Sequence, residues 1–209
     1  MVTQSGFAYF TTFYEALIGT VTIDDRGVHS DLIAYGPLGA LGAPGIPDDQ
    51  RHVSLTIVGA QAKTMLVGSP RMSGTPPPDF LEFLGGGRNF SYLTQYNQPA
   101  QLATLAGVYT DNSPPYVLTL SVNGDGQING SDTTGCMLVG NASVPDPAVN
   151  VYQAEADVSS CGVLDGHYAG ILTFTDTEET TSANRALLLA MRSVSPVAGA
   201  TAIFHSLYR

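Results

Sequence analysis

The residues best spaced to do chemistry run from Ser121 to Asp132, in the order Ser121-Val122-Asn123-Gly124-Asp125-Gly126-Gln127-Ile128-Asn129-Gly130-Ser131-Asp132. This follows the template of a calcium loop. Asn123 and Asp125 supply oxygens at alternate positions, Gly126 allows the sharp turn, Ile128 is β-branched, and Asp132 stands where the terminal acidic ligand belongs. Ser121 occupies the first position, where a carboxylate would hold a hard cation more strongly. The flanks read as strands, and Asn123-Gly124-Asp125-Gly126 supplies the residues of positive φ that a tight hairpin needs. A hairpin is therefore the preferred reading, with calcium on Asn123, Asp125 and Asp132 as the alternative.

Other reactive groups are dispersed. His29, His52, His167 and His205 form no HExxH, and no GxSxG elbow presents a serine. Gly85-Gly86-Gly87 lacks the Lys and Ser/Thr of a phosphate-binding loop and reads as a bend. Glu178-Glu179 lies in the polar stretch Thr175–Ala183, which reads as a solvated loop. No catalytic residue, cofactor or resident metal is assigned, and the chain is read as a non-enzyme. A hydrolase whose groups meet only in space ranks third among the functional readings.

Cysteine use bears on compartment. Cys136 and Cys161 are the two cysteines, each beside a glycine, in no CxxC and in no zinc-spaced cluster. An even count without a metal or redox motif predicts one structural disulfide, Cys136–Cys161, in an oxidising compartment. It should stabilise by about 3 kcal/mol in the chain-entropy account. The polar beginning, Met1 to Gly6, has neither a basic start nor an apolar run. The expectation is an exported chain, periplasmic or at the outer membrane, whose signal has been removed.

The formal net charge of −10 repels a nucleic-acid backbone and favours a basic partner. No apolar run approaches the ~18–20 residues of a membrane helix. With 23 Gly, 13 Pro and only 12% charged residues, the composition suits many short strands joined by turns.

The elements that must position these groups are strands. In the first half they are expected at Phe7–Tyr14, Leu17–Asp24, Val28–Tyr35, His52–Val58, Lys63–Val67 and Phe90–Gln95, with Gly36–Asp49 and Ser69–Asp79 as Gly/Pro-rich loops. A short helix or extended connection is expected at Gln98–Leu105. Eight strands then follow: Leu105–Thr110, Val117–Val122, Gln127–Gly130, Cys136–Val144, Val149–Val158, His167–Thr175, Arg185–Ser193 and Thr201–Leu207. Eight is the number that closes a small antiparallel barrel and removes exposed edges. Leu187, Leu188, Leu189 and Met191 mark the seventh as buried on both faces. The predicted fold is all-β: an eight-stranded antiparallel barrel or sandwich over 102–209, with a smaller β region over 1–101 packed on it.

Several segments carry a family resemblance. They are Leu105-Ala106-Gly107-Val108-Tyr109-Thr110, Leu118-Thr119-Leu120-Ser121, Asp125 to Asp132 with Gly135-Cys136, Asn150-Val151-Tyr152, Cys161-Gly162, and Gly166-His167-Tyr168-Ala169-Gly170. Together they resemble small exported lipoproteins of proteobacteria, over residues 102–209. By architecture they are also similar to avidin-like and transferrin-binding-protein-like barrels. The resemblance implies export and a lipid anchor on the precursor, and no functional residue carries over from it.

Function is expected to be binding. The first reading is recognition of another protein, as by a periplasmic immunity or accessory protein, with Asp48 and Asp49 in a contact loop. The alternative is a barrel enclosing a small ligand.

Overall fold

The computed structural model describes residues 7–11, 16–24, 27–36, 46–58, 61–62, 65–67, 69–73, 89–91, 97–112, 117–176, 185–194 and 202–209. Described residues up to Ser91 belong to one compact unit, and those from Asn97 onward to another.

In the first unit, β1 (Phe7–Thr11), β2 (Ala16–Asp24), β3 (Gly27–Gly36), β4 (Ile46–Val58) and β7 (Ser69–Ser73) form a sheet in the order β1-β2-β3-β4-β7. A smaller sheet has β5 (Gln61–Ala62), β6 (Met65–Val67) and β8 (Asn89–Ser91). Two of the expected loops are corrected here. Asp48 and Asp49 lie within strand β4 and not in a loop. The β3–β4 register passes from Ile33↔His52 to Tyr35↔Pro47, so both aspartates fall in an irregularity of that ladder. Ser69–Ser73 is likewise a strand, with Pro70 opposite Ile57. Proline is tolerated there because β7 is an edge, where one side of the backbone needs no partner. The Gly85-Gly86-Gly87 bend, residues 74–79 and the Glu178-Glu179 loop lie outside the described residues.

The second unit opens with a one-turn helix, α1 (Leu102–Leu105), inside the expected 98–105 connection. Strands β9 (Gly107–Asp111), β10 (Leu118–Val122), β11 (Gln127–Asp132), β12 (Met137–Ser143), β13 (Tyr152–Ser159), β14 (Gly166–Asp176), β15 (Arg185–Ser193) and β16 (Ala202–Tyr208) follow. They close into an antiparallel barrel in chain order, with β16 returning to β9. All eight expected strands are present, and the barrel is the architecture formed. The β16–β9 seam is the shortest ladder, with the single register pair Tyr208↔Thr110.

Period-two alternation decides which side chains turn inward. On β10, Leu118, Leu120 and Val122 are buried while Thr119 is exposed. On β13, Tyr152, Ala154, Ala156 and Val158 point in, and Gln153, Glu155 and Asp157 point out. That strand begins at Tyr152 and not Val149, because Asp146 folds the chain into a turn first: its carboxylate accepts the Ala148 amide at 2.8 Å. Inward residues from all eight strands, with Leu105 and Leu164, make one apolar cluster. Burying each Leu, Val or Phe side chain contributes on the order of 1.5–3 kcal/mol.

The wall is not uniform. Ile171 on β14 and Ala186 and Ala190 on β15 face outward by register, yet they are buried and lie outside the core cluster. The expected two-sided burial of Arg185–Ser193 is therefore observed. The outward residues of β11, β12 and β13 are exposed.

Candidate functional site: plugged ends and an exposed wall

Both ends of the barrel carry the same local device. At one end α1 runs into β9, and Leu105 is 0% exposed. The Tyr109 hydroxyl donates to the Leu105 carbonyl at 2.7 Å. At the other end a 3-10 turn, Gly162–Leu164, runs into β14, and Leu164 is 1% exposed. There the Tyr168 hydroxyl donates to the Leu164 carbonyl at 3.0 Å. The residues after the two leucines share one backbone conformation, φ −58° and ψ 127° at Ala106, φ −56° and ψ 128° at Asp165. The common pattern is Leu-x-Gly-x-Tyr, seen at Leu105-Ala106-Gly107-Val108-Tyr109 and Leu164-Asp165-Gly166-His167-Tyr168. The pattern is visible in the sequence as two copies of Leu-x-Gly-x-Tyr, a signal the strand-by-strand reading passed over.

The helix end is reinforced by aromatic packing. Phe174 stands 6.3 Å from the ring of Tyr109 and 6.3 Å, edge-on, from that of Tyr152. The Tyr152 hydroxyl lies 3.3 Å from both the amide and the carbonyl of Gln101. Arg209 stacks 5.3 Å from the Tyr109 centroid and donates to the Ala106 carbonyl. A Cβ at position 107 would overlap that guanidinium, so a side chain there would require the Arg209 head group to shift. Burial pushes the Tyr109 hydroxyl above its ordinary value, against the opposing pull of Arg209, and burial does the same at Tyr152.

The disulfide end carries the expected Cys136–Cys161 bond, with Cα atoms 4.7 Å apart. Asp165 accepts the Cys161 amide at 2.7 Å, which pins the same turn.

The calcium alternative is not assembled. Asn123 and Asp125 lie in the β10–β11 hairpin, whereas Asp132 is at the opposite end of β11. Asn123 Oδ1 accepts the amides of Asp125 and Gln127 at 3.0 and 2.8 Å. Asp132 Oδ1 accepts the Thr134 amide and hydroxyl at 2.8 and 2.6 Å and the Cys136 amide at 3.2 Å. These carboxyl and amide oxygens close two turns at opposite ends of a six-residue strand. Gly126, at φ +85°, completes the first turn and packs against Leu102. Among the described residues no group of three His, Cys, Asp or Glu is placed to hold a metal.

A buried histidine paired with a half-buried aspartate interrupts the apolar interior. His205 is 4% exposed on β16, and its Nδ1 lies 2.8 Å from Asp111 Oδ2 on β9, across the short seam. Its Nε2 is buried and has no hydrogen-bond partner among the described residues. A second pair, His167 with Asp157 at 2.9 Å, is exposed on the outer wall.

The outer wall over β11–β13 carries mostly polar side chains around the exposed Met137 and Val139, while the interior is apolar. That polarity is the reverse of a lipid-spanning barrel, which turns an apolar band outward. Among the described residues no helix is long and apolar enough to cross a membrane. No family model, curated protein or solved structure matches the chain. Fold and geometry therefore define its class: a closed eight-stranded antiparallel β-barrel domain.

Proposed function

We propose that this chain is an exported, non-enzymatic binding protein that recognises another protein through its outer barrel wall, in the manner of a periplasmic accessory or immunity protein. One observation carries the reading. The core cluster runs from Leu105 at one end to Leu164 at the other, which favours a partner that meets the outside of the barrel. A barrel encloses a ligand only where side chains leave its interior unfilled. Export is supported by the disulfide, which persists in oxidising compartments. The acidic charge supports a basic partner by speeding encounter. Lipid anchoring of the precursor belongs to the same proposal through the lipoprotein resemblance.

The experiment is affinity purification of the tagged chain from the periplasm of its source, followed by native mass spectrometry. A stoichiometric protein is the expected companion. A bound small molecule in its place would overturn the reading and favour the alternative ligand-binding barrel. That alternative has one observation of its own, the buried Nε2 of His205, which would accept a hydrogen bond from a small donor ligand.

A further inference from the structure

We infer that the contact surface is the wall formed by β11, β12 and β13, centred on Met137 and Val139, and that it fits a protein surface presenting an apolar residue ringed by Lys or Arg. This rests on the protein-binding reading above and adds its location and chemistry.

The barrel wall offers unequal choices. Outward residues of β14 and β15 such as Ile171, Ala186 and Ala190 are buried. On the β12 row Met137 and Val139 are 48% and 49% exposed, next to each other on one face of the strand. Exposed apolar residues occurring singly need no explanation, but an adjacent pair leaves an apolar strip in water. Register sets its borders. Asp157 is directly across from Val139, and Glu155 is across from Asn141, on the β13 side. Asn129 is across from Val139 on the β11 side. The strip thus has carboxylates along one edge and an amide on the other. No Lys or Arg occurs in β11, β12 or β13.

Two physical consequences favour association here. Val, Asn, Asp and Ser side chains lose little rotamer freedom when buried, whereas a lysine-covered wall would lose far more per side chain. Methionine adapts its shape to a partner and is enriched at interfaces. The sign of the partner follows from the carboxylates and from the net charge of −10. Asp157 also holds His167 at 2.9 Å, so Glu155 is the better isolated test of the charge.

The test uses the full chain with a defined probe, a peptide of alternating Lys and Leu, compared with its Glu/Leu counterpart, and follows backbone amide shifts at low salt. The Lys/Leu peptide should perturb amides of residues 137–141 and 153–159, and the Glu/Leu peptide should leave them in place. Changing both Met137→Ser and Val139→Ser should weaken binding about tenfold, and Glu155→Gln by about threefold at low salt, with the second effect lost in high salt. All three side chains are exposed, so melting temperatures should stay near wild type. Perturbations elsewhere on the barrel, or unchanged affinity in the double variant, would overturn the inference. A photo-crosslinking residue at position 139, compared with one at position 108 on β9, separates the two readings in the native periplasm. A protein adduct at 139 alone supports the inference. An adduct at 108 alone moves the interface and leaves protein binding standing. A co-purified small molecule with no adduct at either position removes protein binding itself.

Discussion

At one end of the barrel α1 turns into β9 under Arg209, and at the other the 3-10 turn turns into β14 beside the disulfide. Both corners use a buried leucine as the stopper and a tyrosine hydroxyl to hold the leucine's carbonyl. They differ in how the stopper is secured. The helix end has the packing of Tyr109, Tyr152 and Phe174 and the cation over Tyr109. The opposite turn is only three residues long and is preceded by Ser160 at φ 61°, a left-handed conformation costing on the order of 1–2 kcal/mol. A covalent bond worth about 3 kcal/mol offsets that cost. The comparison teaches that one corner geometry closes a barrel end under either condition, provided something outside the corner holds the chain down.

The sharpest way to break this equivalence is to remove a stopper. Leu105→Ala and Leu164→Ala should each lower unfolding free energy by roughly 2–5 kcal/mol in urea titrations, through lost transfer energy and the cavity left behind. A cost under about 1 kcal/mol at either position would mean that leucine does not seal its end.

Reducing the Cys136–Cys161 bond, or replacing both cysteines by serine, should cost about 3 kcal/mol. Hydrogen exchange should quicken first at residues 160–166 and leave α1 protected. Uniform loss of protection would instead make the disulfide a staple of the whole barrel.

Tyr109→Phe and Tyr168→Phe test the shared bond itself. Each leaves a buried leucine carbonyl without its donor, at about 1–3 kcal/mol. The two losses should agree closely if the corners are equivalent.

Alkaline pH should separate the ends with the smallest effect. Tyr109 and Tyr152 are raised above the ordinary value of 10.0 by burial, so the folded state keeps their protons longer than the unfolded state does. Their contribution is fully present below about pH 10 and is lost as pH rises through the folded-state values. Urea midpoints at pH 8 and 11 should therefore fall at the higher pH, with exchange near α1 quickening. A midpoint that rises with pH would contradict the burial of these hydroxyls.

How far the sequence could be read differs between the two units. In the second, β-branched and apolar alternation placed all eight strands, since each needs only its own residues and the period of two. In the first, the Gly/Pro rule mislaid Ser69–Ser73, because Pro70 is acceptable only on an edge, and no local rule says which strand will be one. Asp48 and Asp49 read as loop because Pro47 precedes them, and the ladder irregularity that admits them belongs to the pairing of β3 with β4. The calcium alternative, second to the hairpin that is formed, fails for a related reason. It counts residues along a chain expected to curl round an ion, and the extended course of β11 carries Asp132 away from the hairpin.

The sequence by itself determined the all-β class, the strand count of the barrel and the pairing of its only two cysteines, since propensity, period and an even cysteine count are local or compositional properties. Tertiary structure alone decided that α1 and the 3-10 turn seat Leu105 and Leu164 at opposite ends of the core, that His205 meets Asp111 across the seam, and that outward residues of β14 and β15 are buried while those of β11–β13 are exposed. The physical reason is sequence separation. His205 and Asp111 lie 94 residues apart, and Tyr152 meets Gln101 across 51, so no window of neighbouring residues contains either contact. Closing the barrel brings these groups together, and only the closed barrel has ends to stop and an outer wall to present.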